Sequence, residues 1–88
     1  MTVHFRKSFV KDLRALEPEY RARVEKSILE IEAARTLREV RQLKKLQGRS
    51  GFFRIRVGDY RIVYAIDDAQ QTVEVRIVAH RRGVYRDL

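Results

Sequence analysis

The residues best suited to chemistry in this 88-residue chain are arginines that alternate along two neighbouring stretches of sequence. Arg54 and Arg56 alternate with apolar side chains before Gly58, and Arg61 follows shortly after it. A guanidinium group stays charged at neutral pH, and its planar fork donates two parallel hydrogen bonds to a phosphate. The pattern therefore indicates a site for a phosphate or another oxyanion.

The turn between these arginines sets how they face one another. Gly58-Asp59 has the composition of a two-residue hairpin loop. Such a loop pairs Val57 with Tyr60, Arg56 with Arg61, Ile55 with Ile62, and Arg54 with Val63. The three arginines then share one face, and the other face is apolar: Phe53, Ile55, Val57, Tyr60, Ile62 and Tyr64. Like charges directly opposite one another destabilise a sheet by up to about 1 kcal/mol. The facing arginine pair thus favours an anion site over a merely solvated charged face, which is the alternative.

A second group of reactive residues lies near the end of the chain. Arg76 and His80 fall on one alternate set of the last predicted strand, and the register could bring them to the face of the three arginines. His80 carries the imidazole that transfers protons near neutral pH, and Arg81 and Arg82 follow it. Tyr85 could stack on an unpaired RNA base. The structural alternatives are a capping histidine and a tyrosine that packs the C-terminus onto the sheet.

The net charge points to an anionic partner. Twenty Lys and Arg against twelve Asp and Glu give +8 at pH 7. Such a charge opposes folding by self-repulsion, and it is typical of proteins that bind nucleic acid. An anionic membrane surface and an acidic protein are the other candidate partners, and added solubility is the plain alternative. The absence of cysteine excludes disulfides and thiolate metal sites.

We expect a single domain over residues 1–88 in the cytoplasm. No segment approaches the roughly 20 apolar residues of a membrane span, and the N-terminus lacks the apolar core of a signal peptide. One proline and four glycines argue against disorder, and 44% hydrophobic residues favour a packed core. No membrane partner is expected.

The first half of the chain is predicted to hold a strand and two helices. Val3 and Phe5 alternate with polar residues, as in a strand. Ser8 is placed to cap a first helix, and Pro18 suits the first turn of a second. Apolar residues recur at helical spacing in both helices, the second ending near Ala34 or Arg35: Phe9, Leu13 and Leu16, then Val24, Ile28 and Ile31. From Thr36 to Leu46 the spacing allows a short third helix or an extension of the second.

The second half of the chain changes to a period of two, which predicts three strands. The first two flank Gly58-Asp59, and the third runs from Val73 to about Ala79. The element order is therefore β-α-α-β-β-β, followed by a short charged tail. We predict an α+β fold with a helical hairpin on one face of a mainly antiparallel, four-stranded sheet.

Two segments carry a resemblance to a known family. The segment from Leu46 to Tyr64 resembles the core of the RelE/ParE toxin superfamily, and the tail from Ala79 to Arg86 resembles the ending of its RelE-type, RNA-cleaving branch. The order of segments extends the resemblance over essentially the whole chain. The core segment is specific to the superfamily, whereas the tail distinguishes the RNA-cleaving branch from the gyrase-poisoning one.

The resemblance implies the toxin of a type II toxin–antitoxin system, a ribosome-dependent mRNA interferase that cuts the codon in the ribosomal A site. Arg54 and Arg56 match two basic positions on a strand, and Arg61 matches the arginine that contacts the scissile phosphate. Arg81 matches the basic residue that acts on the developing charge, and Tyr85 the tyrosine that orients the nucleotide. A cognate antitoxin is the implied protein partner, and operator DNA is implied for the toxin–antitoxin complex.

The predicted reaction is attack of a ribose 2′-OH on the adjacent phosphate, which leaves a 2′,3′-cyclic phosphate and a free 5′-OH. This chemistry requires no metal or cofactor. The nearby carboxylates lie in predicted turns and form no two-metal cluster: Asp59, Asp67 and Asp68. Arginine side chains stabilise the phosphoryl charge but are poor bases, since their pKa exceeds about 12. His80 is therefore the favoured acid or base, and Arg76 and Arg82 are expected to add phosphate contacts.

Two other functions stay open. A toxin of the gyrase-poisoning branch would share the fold and core segment but would not need His80, Arg81 and Tyr85 together. A toxin relic could serve only as a DNA-bound corepressor with its antitoxin. Gyrase assays and growth arrest on induction would separate these functions from RNA cleavage.

Overall fold

Alternating apolar and polar residues in the second half of the chain form the three long strands that carry the candidate site. The computed structural model describes residues 1–83. The strands are β1 (Thr2–Phe5), β2 (Lys44–Lys45), β3 (Phe52–Val57), β4 (Tyr60–Asp67) and β5 (Thr72–His80). The helices are α1 (Lys7–Arg14) and α2 (Pro18–Ala33), followed by a short 3-10 helix (Leu37–Glu39).

The strands form one sheet in the order β1-β5-β4-β3-β2. β1 runs parallel to β5, and the other neighbours are antiparallel. The predicted α+β fold is confirmed, with five strands in the sheet rather than four. The additional strand is β2, whose two lysines pair with Phe53 and Arg54. It was missed because two successive lysines show no alternation between apolar and polar residues.

The two helices cover the apolar face of the sheet. Val24, Ile28 and Ile31 of α2 recur at i, i+4 and i+7, so they form one stripe that is buried against the strands. Phe9 of α1 and Ile62 of β4 are fully buried in the same core. Burial of each such side chain stabilises the fold by about 1.5–3 kcal/mol.

A buried polar contact joins α2 to the centre of the sheet. The hydroxyls of Ser27 and Tyr64 lie 3.3 Å apart, and Tyr64 is completely buried. Burial raises the pKa of the Tyr64 phenol because the phenolate would lose its hydration, although the Ser27 hydrogen bond acts in the opposite direction. The hydrogen bond thus satisfies a polar group that cannot reach water.

Helix boundaries differ from the prediction at Ser8. α1 begins at Lys7, one residue before Ser8, and no side-chain cap is present at Arg6, whose backbone is extended. Because β1 ends at Phe5, the chain enters the helix before Ser8 can occupy the cap position. Pro18 is the first residue of α2, as predicted.

The segment after α2 is less helical than its apolar spacing allows. Its helical part is the three-residue 3-10 helix, and the backbone is extended on both sides, at Thr36 and Val40. So short a segment cannot recover the cost of helix nucleation, and tertiary contacts instead bury Val40 in the core.

A β-bulge interrupts the pairing of β4 with β5. Val63 lies opposite Ile77, whereas Tyr64 lies opposite Val75, so Arg76 is an additional residue on β5. A single extra residue reverses which side chains face the helices. Buried side chains of β5 accordingly occur at Val73, Val75 and then Val78.

Candidate nucleic-acid interface

The hairpin between β3 and β4 has the register that the sequence predicts. Arg56 lies opposite Arg61 and Arg54 opposite Val63. Gly58 has a φ of 58°, and of the two loop residues it alone has positive φ, which is typical of a type II′ turn. A Cβ atom at Gly58 would lie 3.0 Å from Cε1 of Tyr20, so glycine also suits the close approach of α2.

The helices leave uncovered the face of the sheet that carries the arginines. We call its basic residues Lys44, Arg54, Arg56 and Arg61 the arginine face. Lys44 joins the three predicted arginines because β2 places it opposite Arg54. Within residues 1–83, Lys44, Arg54 and Arg56 form no ion pair with a carboxylate. These three side chains therefore concentrate positive charge that no carboxylate of residues 1–83 neutralises, as an anion site requires.

Arg61 is held in place by the turn itself. Its Nη1 atom donates hydrogen bonds to the carbonyl oxygens of Gly58, at 3.0 Å, and of Tyr60, at 2.9 Å. These two bonds fix the guanidinium at the hairpin end of the arginine face. A cation held in this way is preorganised, because little reorganisation is needed when an anion arrives.

The chain after β5 also meets the hairpin turn. The backbone N–H of Arg81 donates to the carbonyl oxygen of Asp59 at 2.8 Å. Arg81 and Arg82 are exposed. The hydrogen bond places the backbone of Arg81 at the rim of the sheet, beside the hairpin turn.

His80 lies on the helical side of this rim. It is opposite Tyr60 in the sheet, and the centroids of the two rings are 5.9 Å apart. The Tyr60 ring in turn contacts the Tyr20 ring of α2, with 5.0 Å between their centroids. The backbone N–H of Arg82 donates to Nδ1 of His80 at 3.3 Å. In the neutral imidazole the proton is therefore on Nε2.

The prediction that Arg76 and His80 share the face of the three arginines is wrong for His80. The bulge at Arg76 reverses the alternation, so the strand presents Arg76 to the uncovered face and His80 to the helical side. Arg76 contacts Phe52, whose ring centroid lies 5.4 Å from its guanidinium carbon, and Glu74, whose carboxylate is 2.6 Å away. Glu74 thus neutralises Arg76, whereas no carboxylate of residues 1–83 pairs with Arg54 or Arg56.

Tyr85, the predicted stacking residue, lies outside the described residues. Its role stays a prediction. Among residues 1–83, no three acidic or histidine side chains gather closely enough to hold a metal ion. Asp59 lies in the hairpin turn, while Asp67 ends β4 and Asp68 begins the next turn.

A basic concavity extends the arginine face past the edge of β3. It measures about 590 Å³. It is lined by seven residues from α2, the segment after it and the hairpin: Arg23, Arg41, Gln42, Lys44, Arg54, Arg56 and Gly58. Sequence reasoning missed Arg23 and Arg41, since helical and strand periodicities do not reveal which elements meet at an edge. The concavity widens the positive surface available to a polyanion.

The sequence of the chain matches a toxin family. Residues 3–85 match the family described as ParE toxin of type II toxin–antitoxin system, parDE. Toxin RelE3 of Methanocaldococcus jannaschii is 37% identical over 86 residues, which cover 97% of this chain and 96% of the relative. Toxin RelG of Mycobacterium tuberculosis is 34% identical over 87 residues, which cover 97% and 95%.

Solved structures resemble the fold closely. The toxin in the RelB–RelE antitoxin–toxin complex from Methanococcus jannaschii has a TM-score of 0.79 and 33% identity, with 97% of this chain and 98% of that chain covered. The isolated RelE toxin of E. coli has a TM-score of 0.71 and 26% identity, with 90% of this chain and 82% of that chain covered.

Across residues 1–83, neither helix combines the length and hydrophobicity needed to cross a membrane.

Proposed function

Because the chain belongs to the RelE/ParE toxin superfamily of type II toxin–antitoxin systems, we propose that it is an endoribonuclease that cleaves messenger RNA in the ribosomal A site and so stops translation. The observation that carries the proposal is the facing pair of Arg56 and Arg61 on the uncovered face of the sheet. A sheet that repels itself across a hairpin is best explained by a polyanion that binds there.

The proposed reaction is a transesterification within the RNA. The 2′-oxygen of a ribose forms a bond to the adjacent phosphorus, and the bond from phosphorus to the 5′-oxygen of the next nucleotide breaks. The 2′-hydroxyl loses its proton and the leaving 5′-oxygen gains one. The products are a 2′,3′-cyclic phosphate and a free 5′-OH, and the balance needs no metal, cofactor or oxidant.

In this proposal the arginines stabilise the charge that builds up on the phosphoryl oxygens. Arg61 is held at the hairpin end by two carbonyls, and Arg56 lies directly opposite it. Arg81, whose backbone is bonded to the same turn, supplies charge at the leaving group. Arg54 and Arg82 bind the flanking phosphates. Removal of one such preorganised donor typically costs about 10²–10³-fold in rate.

His80 is the proposed proton-transfer group. Its ring makes an edge-to-face contact with Tyr60 on the helical side of the rim, so the substrate has to reach it across the hairpin end of the sheet. Tyr85 is proposed to stack on the nucleotide. We expect His80→Ala to lower the cleavage rate about 10²-fold or more. If His80→Ala leaves both the cleavage rate and translation arrest unchanged, the proton transfers belong to another group.

The proposed partners are the ribosome, mRNA and a cognate antitoxin. The solved relatives include RelB–RelE antitoxin–toxin complexes. An acidic antitoxin segment would suit the net charge of +8, because it would relieve the repulsion within the arginine face. Together the two proteins are proposed to bind operator DNA, and the site of action is the cytoplasm.

Mapping of mRNA 5′ ends on programmed ribosomes tests the proposal. The wild type should produce new 5′ ends within the A-site codon. The double variant Arg61→Ala/Arg81→Ala should produce none, while its circular dichroism spectrum and Tm stay close to the wild type. Arg14→Ala, which removes an exposed arginine of α1, is the matched control and should cleave normally. Intact message with the wild type, while translation stops, would overturn the cleavage proposal.

The second candidate is a toxin of the gyrase-poisoning branch. It is favoured by one observation, the match of residues 3–85 to the ParE family of parDE systems. Supercoiling by purified gyrase in the presence of the chain separates the two candidates. Inhibition of supercoiling without mRNA cleavage would favour this second function.

A further inference from the structure

An aromatic ring lies on the uncovered face of the sheet, beyond the arginine face. Phe52 begins β3 and is opposite Ala65, which in turn is opposite Glu74. Because Ala65 is small, no bulky cross-strand neighbour packs over the ring from that side. Phe52 is partly exposed and takes no part in the buried core. The ring is therefore available for contact with a molecule that binds on this face.

Two guanidiniums lie close to the Phe52 ring. The guanidinium carbons of Arg49 and Arg76 lie 5.5 Å and 5.4 Å from the ring centroid. Planar guanidiniums and aromatic rings are the two kinds of surface on which proteins stack unpaired RNA bases. The cluster therefore offers stacking surfaces next to a predicted phosphate site.

A carboxylate distinguishes this cluster from the arginine face. Glu74 forms ion pairs with Arg76 at 2.6 Å and with Arg6 at 3.5 Å, both through Oε1. The hydrogen bond from Arg76 is accepted by Oε1, and a carboxylate has a second acceptor oxygen, Oε2. A carboxylate repels phosphate, but it accepts a hydrogen bond from the amino group of a base.

A concavity of about 460 Å³ adjoins the ring. Phe52, Ala65 and Glu74 form part of its lining, together with the polar residues Ser50 and His4. Along β3, Phe52, Arg54 and Arg56 follow one another on one face at steps of roughly 6.5–7 Å. A phosphate at Arg54 and Arg56 would thus leave the base of a neighbouring nucleotide within reach of the concavity.

We propose that Phe52, together with Arg49 and Arg76, is a stacking platform for one base of the RNA, and that Glu74 favours a base with an exocyclic amino group. This inference rests on the proposed function, since it assigns a base contact to the same RNA. It also revises the role expected for Arg76, which becomes a base-stacking residue instead of a phosphate contact.

The test measures binding of a 2′-O-methyl RNA hexamer, which cannot be cleaved, by fluorescence anisotropy. Each nucleotide in turn is replaced by an abasic residue. The wild type should lose about tenfold in affinity at one abasic position, as expected for one lost stacking contact. Phe52→Leu should lose about tenfold with the intact RNA and nothing further at that position. Phe52→Trp should bind like the wild type.

The control is Phe5→Leu, which removes an aromatic ring that is 51% exposed on β1. It should keep the wild-type profile. Equal affinity of Phe52→Leu and wild type for the intact RNA would overturn the platform, and so would unequal profiles for Phe52→Trp and wild type. A toxin that cleaves mRNA on ribosomes but shows either of these results retains the proposed function and loses the platform. A wild type that neither binds the hexamer nor cleaves mRNA overturns both.

Discussion

The two faces of the sheet are built from the same strands but are stabilised in opposite ways. On the helical face, Ile62 and Tyr64 are completely buried against α1 and α2. On the face that the helices leave uncovered, Arg61 alternates with these residues along β4 and lies opposite Arg56 of β3. A period of two allows one hairpin to contribute apolar burial on one side and concentrated charge on the other. Apolar burial and concentrated charge therefore come from different residues of the same strands.

The largest loss of stability is expected on the helical face. Ile62→Ala removes a fully buried side chain, and the resulting cavity should lower the free energy of unfolding by about 2–5 kcal/mol. Ile77→Ala makes the same deletion at a partly exposed position opposite Val63. Urea denaturation should show a clearly smaller loss for Ile77→Ala, and equal losses would contradict the division between the two faces.

A smaller loss is expected from Tyr64→Phe, which keeps the ring and removes the hydrogen bond to Ser27. The free energy of unfolding should fall by about 1 kcal/mol at pH 7. Ser27→Ala is the partner variant, and a double-mutant cycle measures the coupling between the hydroxyls. A coupling near zero would show that the contact contributes nothing to stability.

The wild type and Tyr64→Phe should also differ in how the free energy of unfolding changes at alkaline pH. Burial raises the pKa of Tyr64 in the folded protein, so the unfolded chain releases this proton first. The contribution of the neutral phenol is complete below the unfolded pKa of about 10 and is lost as the pH rises above it. Unfolding titrations above pH 10 should therefore show a steeper loss for the wild type than for Tyr64→Phe; parallel curves would contradict it.

The smallest effect on stability, with the opposite sign, is expected on the arginine face. Arg56→Thr removes one of two facing charges and should raise the free energy of unfolding by a few tenths of a kcal/mol. Under the proposed function it should also lower mRNA cleavage about 10²-fold. Arg38→Thr, at an exposed position of the 3-10 helix, is the control. A destabilised or fully active Arg56→Thr would remove the contrast between the faces.

Sequence patterns predicted the hairpin well because two independent signals agree there. Gly58-Asp59 defines the turn, and the alternation on both sides defines which residues are buried. Lys44 was missed because no apolar alternation marks β2. Arg23 reaches the basic concavity from α2, and helical periodicity places it only on an exposed surface. Local sequence patterns therefore do not predict which residues of distant elements meet at the site.

The face of His80 was predicted wrongly for a related reason. The sequence from Val75 to Val78 has apolar residues in both alternate sets, with Arg76 between them. Either set could face the core. An unbroken period of two along the strand then places His80 on the same face as Arg76. The buried residues Val75 and Val78 are three apart, which places the extra residue between them.

The bulge at Arg76 has a consequence for the comparison of this chain with its relatives. A relative that lacks one residue in β5 would turn its terminal residues onto the opposite side of the sheet, even if every following letter were identical. Aligned histidines and arginines at the end of β5 and just after it are therefore equivalent only among proteins that share the bulge. A single insertion or deletion there would be enough, during divergence, to exchange which residues lie on each face of the sheet.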